Sequence, residues 1–330
     1  MTERGAGRPG ADLVVVGDCN PDVLVLGADV TPSFGQREKL VDGIWMVVGG
    51  SAAITAVAAA RLGLGVELVA AVGADPAGDY MLGQLAREGV GTAAVAVRDG
   101  EPTGMTVALS RGADRAILTA PGAVASLTAR DVPAALLAQA RHVHVSSYFL
   151  LERSLGPGLA ALLAAARAAG ATTSLDTNWD PAGRWGDGQL RASLAQADVL
   201  LPNETEAMRI AGEPTLPAAA GALTAAGPRL AVKLGERGAF CADGPEWHRV
   251  ELAPVTPVDT TGAGDCFNAG LIAGLLRGLA LPGAAALGCA VGALSTREAG
   301  GTAGSPDLGS ALALARTATV RTVSGEMPSS

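Results

Sequence analysis

The chain has 330 residues and a mass of 32.6 kDa, enough to bury a sizeable core as one large α/β domain or two smaller ones. With 49% apolar and 17% charged residues the composition is globular, and apolar runs such as Leu159 to Ala166 end well short of the roughly 18 residues a membrane span needs. A net charge of −8 and a pI near 5.0 argue against a nucleic-acid partner, since phosphate backbones select basic surfaces, so a small-molecule partner is expected.

Met1 to Ala11 carries Arg4 and Arg8 but no apolar stretch, so it reads as a disordered tail and not as a secretory signal. Leu13 to Val16 is a continuous apolar run ending at Gly17, the pattern of a strand buried on both faces. Val66 to Val72, His142 to Ser146, Thr173 to Leu175, Val199 to Leu201 and Leu230 to Lys233 repeat it. Between these runs lie Ala/Leu-rich helical stretches at Ser51 to Leu62, Tyr80 to Glu88, Leu155 to Ala169 and Gln189 to Ala195. The alternation predicts an α/β fold, doubly wound, with a mostly parallel sheet flanked by helices.

Two segments break the rhythm. Val23 to Val48 holds short β-like pieces around a Thr-Pro-Ser turn, and Val95 to Thr119 alternates polar and apolar residues with Gly and Asp between runs. Both are expected to be antiparallel, forming a small β-sheet lid (23–48 and 95–119) on a core made of 12–22, 49–94 and 120–322; ordinary edge hairpins are the alternative. Residues 1–11 and 323–330 are expected to be disordered tails.

Cys19, Cys241, Cys266 and Cys289 are scattered, with no CxxC pair and no His at ligand spacing, so neither disulfides nor zinc are expected and a reducing cytoplasm fits best. The 24 basic residues are 22 Arg and two Lys, which singles out Lys233. His142 and His144 alternate on a strand without a partner motif and read as structural.

Residues 258 to 270 read V-D-T-T-G-A-G-D-C-F-N-A-G. From Gly262 a helix is expected, with Phe267, Leu271, Ile272, Leu275 and Leu276 on its apolar face. Gly262, Ala263 and Gly264 then stand at a helix N-terminus, where bare amides and the positive end of the dipole form an anion hole. Asp265 follows about one turn in, placed to accept the proton of a hydroxyl that attacks a phosphoryl group held on those amides. Read alone, the same residues also fit a Gly-rich helix start with Asp265 as a first-turn stabiliser.

D-T-T-G-A-G-D-x-F-x-A-G closely resembles the C-terminal signature of the ribokinase-like (PfkB) family of carbohydrate and nucleoside kinases. Val48-Gly49-Gly50-Ser51, with Arg61-Leu62-Gly63 ten residues on, is similar to the family's N-terminal signature. Pro202-Asn203-Glu204-Thr205-Glu206 looks like its N-x-x-E element, and Val232 to Gly238 like its nucleotide-binding turn; the resemblance runs in order from about Leu13 to Ser305. It implies an ATP-dependent phosphotransferase with Asp265 as general base and Gly262, Ala263 and Gly264 as anion hole. Asn203, Lys233, Gly235 and Gly238 would meet the nucleotide, and Glu206 would act on Mg2+ indirectly. For Lys233 the side chain is as readily incidental as functional. Asp259 and Thr261 match positions that in many members help hold K+, with carbonyls around Ser295, Glu298 and Gly300. Asp22, Gly49, Gly50, Ser51 and Tyr148 would meet the acceptor, Asp22 by reading sugar hydroxyls. No Walker A sequence occurs, which disfavours a P-loop kinase.

Two positions depart from the family pattern. Ile54 stands where an asparagine usually touches the sugar, and Asp180 stands where an arginine is common in D-x-N-x-R, with Arg184 as a possible substitute. A small neutral sugar is therefore the expected acceptor. A nucleoside kinase is the alternative, with Trp45 or Trp179 packing on a base, and a non-catalytic sugar or nucleotide sensor is a third reading. Exposed lid strands would also offer an edge for a homodimer.

Overall fold

The computed structural model describes residues 11–111, 114–186 and 188–323, so nearly all of the two expected tails lies outside the described residues. The first third of the chain forms β1 (Leu13–Val16), β2 (Asn20–Leu26), β3 (Gly43–Gly49), α1 (Ser51–Arg61), β4 (Val66–Gly73), α2 (Pro76–Arg87) and β5 (Val95–Arg98). Next come β6 (Met105–Arg111), β7 (Asp114–Ala120), α3 (Ala134–Gln139), β8 (His142–Val145), α4 (Tyr148–Leu151), α5 (Gly156–Ala168), β9 (Thr172–Leu175), α6 (Gly188–Leu194) and β10 (Val199–Leu200). The remainder is α7 (Glu204–Ala211), α8 (Leu216–Ala225), β11 (Arg229–Lys233), β12 (Ala239–Asp243), β13 (Glu246–Glu251), α9 (Ala263–Leu276), α10 (Leu281–Ser295), α11 (Leu308–Ala315) and β14 (Thr319–Val323).

Ten strands make one sheet in the order β14-β13-β12-β11-β10-β9-β8-β1-β4-β5, parallel from β11 to β5. All four residues of β1 are fully buried; Val14 and Val16 join one apolar layer and Leu13 and Val15 the other, as strand alternation requires between two helical layers. Each such side chain contributes roughly 1.5–3 kcal/mol of burial. Beyond β11 the sheet continues through three antiparallel strands that the alternation did not predict, because β13 and β14 are polar and partly exposed.

A second sheet of four strands, in the order β3-β2-β6-β7, stands apart. It corresponds to the expected lid with three corrections. Val95–Arg98 is not part of it, since β5 pairs parallel with β4 at the edge of the large sheet. The first insertion begins at Asn20, earlier than Val23. Finally, β2 and β6 run parallel, while β2–β3 and β6–β7 are antiparallel. Val323, expected in the tail, closes the last strand against Trp247.

Helix starts differ in a way that matters below. Asp75, Asn203, Thr215 and Asp307 each cap their helix with a side-chain oxygen on a first-turn amide. At α9 the cap position is Gly262, at φ +72°, with no side-chain oxygen on the first-turn amides.

Candidate active site

The carboxyl ends of β1, β8, β9 and β11 open toward one region, where ligands collect in open α/β sheets. Just past β1, buried Asp18 accepts from the Ser51 and Ala52 amides at 3.0 Å each and from the Ser147 hydroxyl, so it caps α1 from the end of a neighbouring strand. Burial nevertheless holds its carboxyl above the usual range.

Asp22 lies on β2 and is held by Asn20, whose amide donates to Asp22 Oδ1 at 3.2 Å and to Thr106 Oγ1 at 3.1 Å. The glycine pair follows from these two aspartates. A Cβ on Gly49 would stand 2.0 Å from Asp22 Oδ1, and one on Gly50 would meet the Asp18 carbonyl at 2.7 Å, with φ already at +81°. Burial, and then the charge of Asp18, push the Asp22 carboxyl up to about 7. Thr106, Arg115 and Asn20 pull the other way.

Asp265 sits in the first turn of α9, above the uncapped Gly262. Gly262 is required there, because a Cβ would meet Gly301 Cα at 2.7 Å. Burial first, and the charge of Asp176 second, hold the Asp265 carboxyl well above its ordinary value; Lys233 and a hydrogen bond with Ser51 oppose this. Ser51 in turn accepts from Asn178 Nδ2 at 2.6 Å, and Thr55 Oγ1 donates to the Asp265 carbonyl at 3.3 Å, tying α1 to α9.

Lys233 answers the question the sequence left open. Its ammonium is buried, donates to Asp176 Oδ2 at 2.6 Å, and lies 3.7 Å from where a Cβ on Gly264 would be. Asn268, one turn beyond Asp265 on α9, donates to the same Asp176 oxygen at 2.5 Å. Glu206 faces this pair while forming a reciprocal cap with Asn203, at 2.9 Å in both directions. Burial and then Asp176 raise the Glu206 carboxyl, while Asp176, Glu206 and Asp265 together keep Lys233 charged against the burial that would lower it. Three carboxylates thus face one ammonium, and the surplus negative charge adds to burial, the larger cause, in raising Glu206 and Asp265. Among the described residues no three His, Cys, Asp or Glu side chains form a self-sufficient metal site. That donor set fits Mg2+ carried in on nucleotide phosphates, the usual manner of binding this ion. The turn expected to meet the nucleotide follows Lys233 directly, with Gly235 at φ +61° and Gly238 at +85°, where a Cβ would strike the Val250 carbonyl.

Other expected residues fall elsewhere. Tyr148 is 1% exposed, packed edge-on to Phe149 in the core, so it is withdrawn as an acceptor contact; Ser147, at φ +59°, turns the chain away from the cleft. Ile54 is 3% exposed and fills the space behind the turn, where a Cβ on Gly301 would stand 2.5 Å from its Cδ1. It is a packing residue beneath the Gly262 turn, with almost no surface exposed. Asp180 is turned inward, accepting from the amides of Ala182, Arg184 and Trp185, and Arg184 pairs with Glu152. Asp259 accepts from Thr261 N, Thr261 Oγ1 and Gly300 N at 2.8–2.9 Å, so it ties the two loops expected to surround a monovalent cation. Sequence reasoning missed Asp18, Asn20, Asn268 and Arg115, and took Asp176 only as the first residue of the stretch resembling D-x-N-x-R; Arg115 is the farthest from any motif. It belongs to β7 and donates to Thr261 Oγ1 at 2.8 Å.

His142 and His144 are structural, as expected. Thr172, His142, Ser174, His144 and Ser146 form an unbroken row of hydrogen bonds of 2.7–2.9 Å, exposed at Thr172 and buried from His142 inward. Burial drives both imidazoles down, to about 3 for His142 and about 4 for His144.

Comparison with known proteins agrees with this fold. A family profile described as pfkB family carbohydrate kinase matches residues 11–308. The chain belongs to the PfkB family. As a PfkB carbohydrate kinase it is a phosphotransferase. A ribokinase of Haemophilus influenzae is 29% identical over 303 residues, spanning 89% of this chain and 95% of its own. A fructokinase of Salmonella typhimurium is 31% identical over 266 residues, spanning 78% and 85%. An E. coli structure solved with ATP and Mg2+ superposes on this PfkB chain with a TM-score of 0.81 at 25% identity, covering 93% of this chain and 99% of that one. Among the described residues no helix is long and apolar enough to cross a membrane.

Proposed function

We propose that this PfkB kinase transfers the γ-phosphoryl group of ATP to a hydroxyl of a small neutral sugar, with Asp265 as general base. The observation that carries the reading is the start of α9: an uncapped turn of small residues followed at once by a half-buried carboxyl with a raised proton affinity. In the proposed step the acceptor O–H bond breaks as the bond from oxygen to γ-phosphorus forms and the bond from γ-phosphorus to the ADP oxygen breaks; the proton passes to Asp265. The amides of Gly262, Ala263 and Gly264 would hold the moving phosphoryl group, with Lys233 beneath Gly264. Mg2+, when bound, neutralises phosphate charge and would be held indirectly by Glu206. Asn203, Gly235 and Gly238 would border the nucleotide.

Asp22, kept in place by Asn20 and by the missing side chain of Gly49, is proposed to read two sugar hydroxyls, with Gly50 and Ser51 alongside. A neutral acceptor is favoured because Arg184 is paired with Glu152 and Asp180 is turned inward. The nucleoside alternative draws on Trp179, 60% exposed and held edge-on by Trp185 at 4.8 Å. A K+ ion would use carbonyls of 295–300 together with Asp259 Oδ2, which among the described residues accepts one bond, from Gly300. Four buried free thiols fit a cytoplasmic location. Ile44, Met46, Ile117 and Leu118, exposed on the small sheet, support pairing of two copies there. ADP release measured with ATP, Mg2+ and K+ across a panel of neutral sugars, sugar acids and nucleosides tests the assignment. Turnover confined to neutral sugars is expected, and no turnover with any acceptor would reject it.

A further inference from the structure

Arg115 belongs to no sequence motif and is an exposed residue, yet its guanidinium bonds the residue that leads into α9. It stands on the outer strand of the small sheet, opposite Ser110 on β6, and Nη1 donates to Thr261 Oγ1 at 2.8 Å. Thr261 immediately precedes Gly262, and its hydroxyl also donates to Asp259. The charge of Arg115 is felt at Asp22 on the acceptor side as well. The guanidinium thus bonds the residue just before the uncapped turn of α9 while its charge acts on the carboxylate expected to meet the acceptor. The other cations of this region are engaged elsewhere: Lys233 with Asp176, Arg184 with Glu152, and Arg61 with Glu88 and the carbonyls of Thr302, Ala303 and Ser305.

We propose that Arg115 is a catalytic residue that exchanges its bond to Thr261 for the equatorial oxygens of the phosphoryl group in flight. A guanidinium offers five donors in a planar fork suited to phosphoryl oxygens and keeps its proton throughout, so it adds hydrogen bonds and charge without entering the proton balance. The core side of the phosphoryl group meets the amides of 262–264 and Lys233; the lid side meets Arg115. Because the guanidinium is carried by the small sheet, transfer proceeds only when that sheet lies over the site, which disfavours loss of the phosphoryl group to water. The inference rests on the kinase reading above, in which Asp265 takes the proton.

The test compares wild type with Arg115→Ala and Arg115→Lys on the acceptor found in the panel. Arg115→Ala is expected to lower kcat by about 10²- to 10³-fold, as loss of one preorganised donor does, with both KM values changed less than about threefold. Arg115→Lys recovers part of the loss, and free guanidinium ion restores turnover to the Ala variant, which a mere tie between sheets would not allow. Calorimetry with ADP, Mg2+ and aluminium fluoride shows whether the variant loses transition-state affinity while keeping ADP affinity. It applies even if no acceptor is turned over, so failure of the kinase assignment and failure of the Arg115 role are read separately. An unchanged kcat, a change confined to the acceptor KM, or undiminished binding of the aluminium fluoride complex each overturns the proposal.

Discussion

Replacing Lys233 with Met removes one positive charge from a site holding three carboxylates. The ammonium and Asp176 Oδ2 are 2.6 Å apart, with side chains 14% and 2% exposed. At an effective dielectric of about 20 their attraction is roughly 6 kcal/mol, much of it spent on desolvating both ions. Deleting one partner leaves the other buried and unpaired, and the expected loss of stability is about 3–5 kcal/mol. Asn268 still donates to Asp176, which places the loss toward the lower end. The same deletion takes away a neighbouring charge that favours ionised Asp265, so its proton affinity rises and the acid limb of the kcat profile moves to higher pH. Urea unfolding measures the first effect and a pH–rate profile the second. Combining Lys233→Met with Asp176→Asn, which removes both charges, is expected to recover stability while leaving turnover impaired. A Lys233→Met variant within about 1 kcal/mol of wild type, with an unmoved profile, would refute the assignment of this pair as the charge balance of the site.

Gly49→Ala places a methyl where the Asp22 carboxylate now lies, at 2.0 Å, so the acceptor KM should rise at least tenfold with little change in the KM for ATP; equal effects on both substrates would contradict the role given to Asp22. Because the Asp22 carboxyl titrates at about 7, kcat/KM for the acceptor should fall as pH drops below 7, and Asp22→Asn should flatten that limb. The buried histidines give a stability test. Their folded values, about 3 and 4, lie below the ordinary 6.5, so unfolded chains bind protons first and the stability these groups confer is lost as pH falls from 6.5 toward 4. Between pH 7 and 5 this amounts to about 4 kcal/mol for the pair, offset in the whole protein by raised carboxyls such as Asp22, which favour the folded state as pH falls. Replacing both with Gln should therefore hurt less at pH 5 than at pH 7 in urea titrations, and a pH-independent difference would rule this linkage out.

The parallel strands were legible because a strand buried on both faces is an unbroken apolar run, as in Leu13–Val16. Thr319–Val323 is exposed along most of its length and carries no such signal; only its register against β13 reveals it. The start of α9 was legible because its signal is local, a run of small residues leading into an apolar helical pattern. Asp176, Lys233 and Asn268 meet from two strands and a helix far apart in the chain, and nothing local marks them as partners. Tyr148 misled for the opposite reason: its strand does end at the site, but one left-handed residue, Ser147, sends the ring into the core. Ile54 seemed to stand where substrate would be read; it lies beneath the turn, where only packing against Gly262 and Gly301 constrains it.

The measurement that bears most directly on this account is turnover by Asp265→Asn, assayed as ADP release with the acceptor identified for wild type, beside calorimetric titration of ATP. The amide keeps the size of the carboxyl but cannot take the proton, so kcat should fall by roughly 10²- to 10⁴-fold, the contribution of a positioned base, while ATP affinity stays within a few-fold. Turnover within tenfold of wild type would contradict Asp265 as the base.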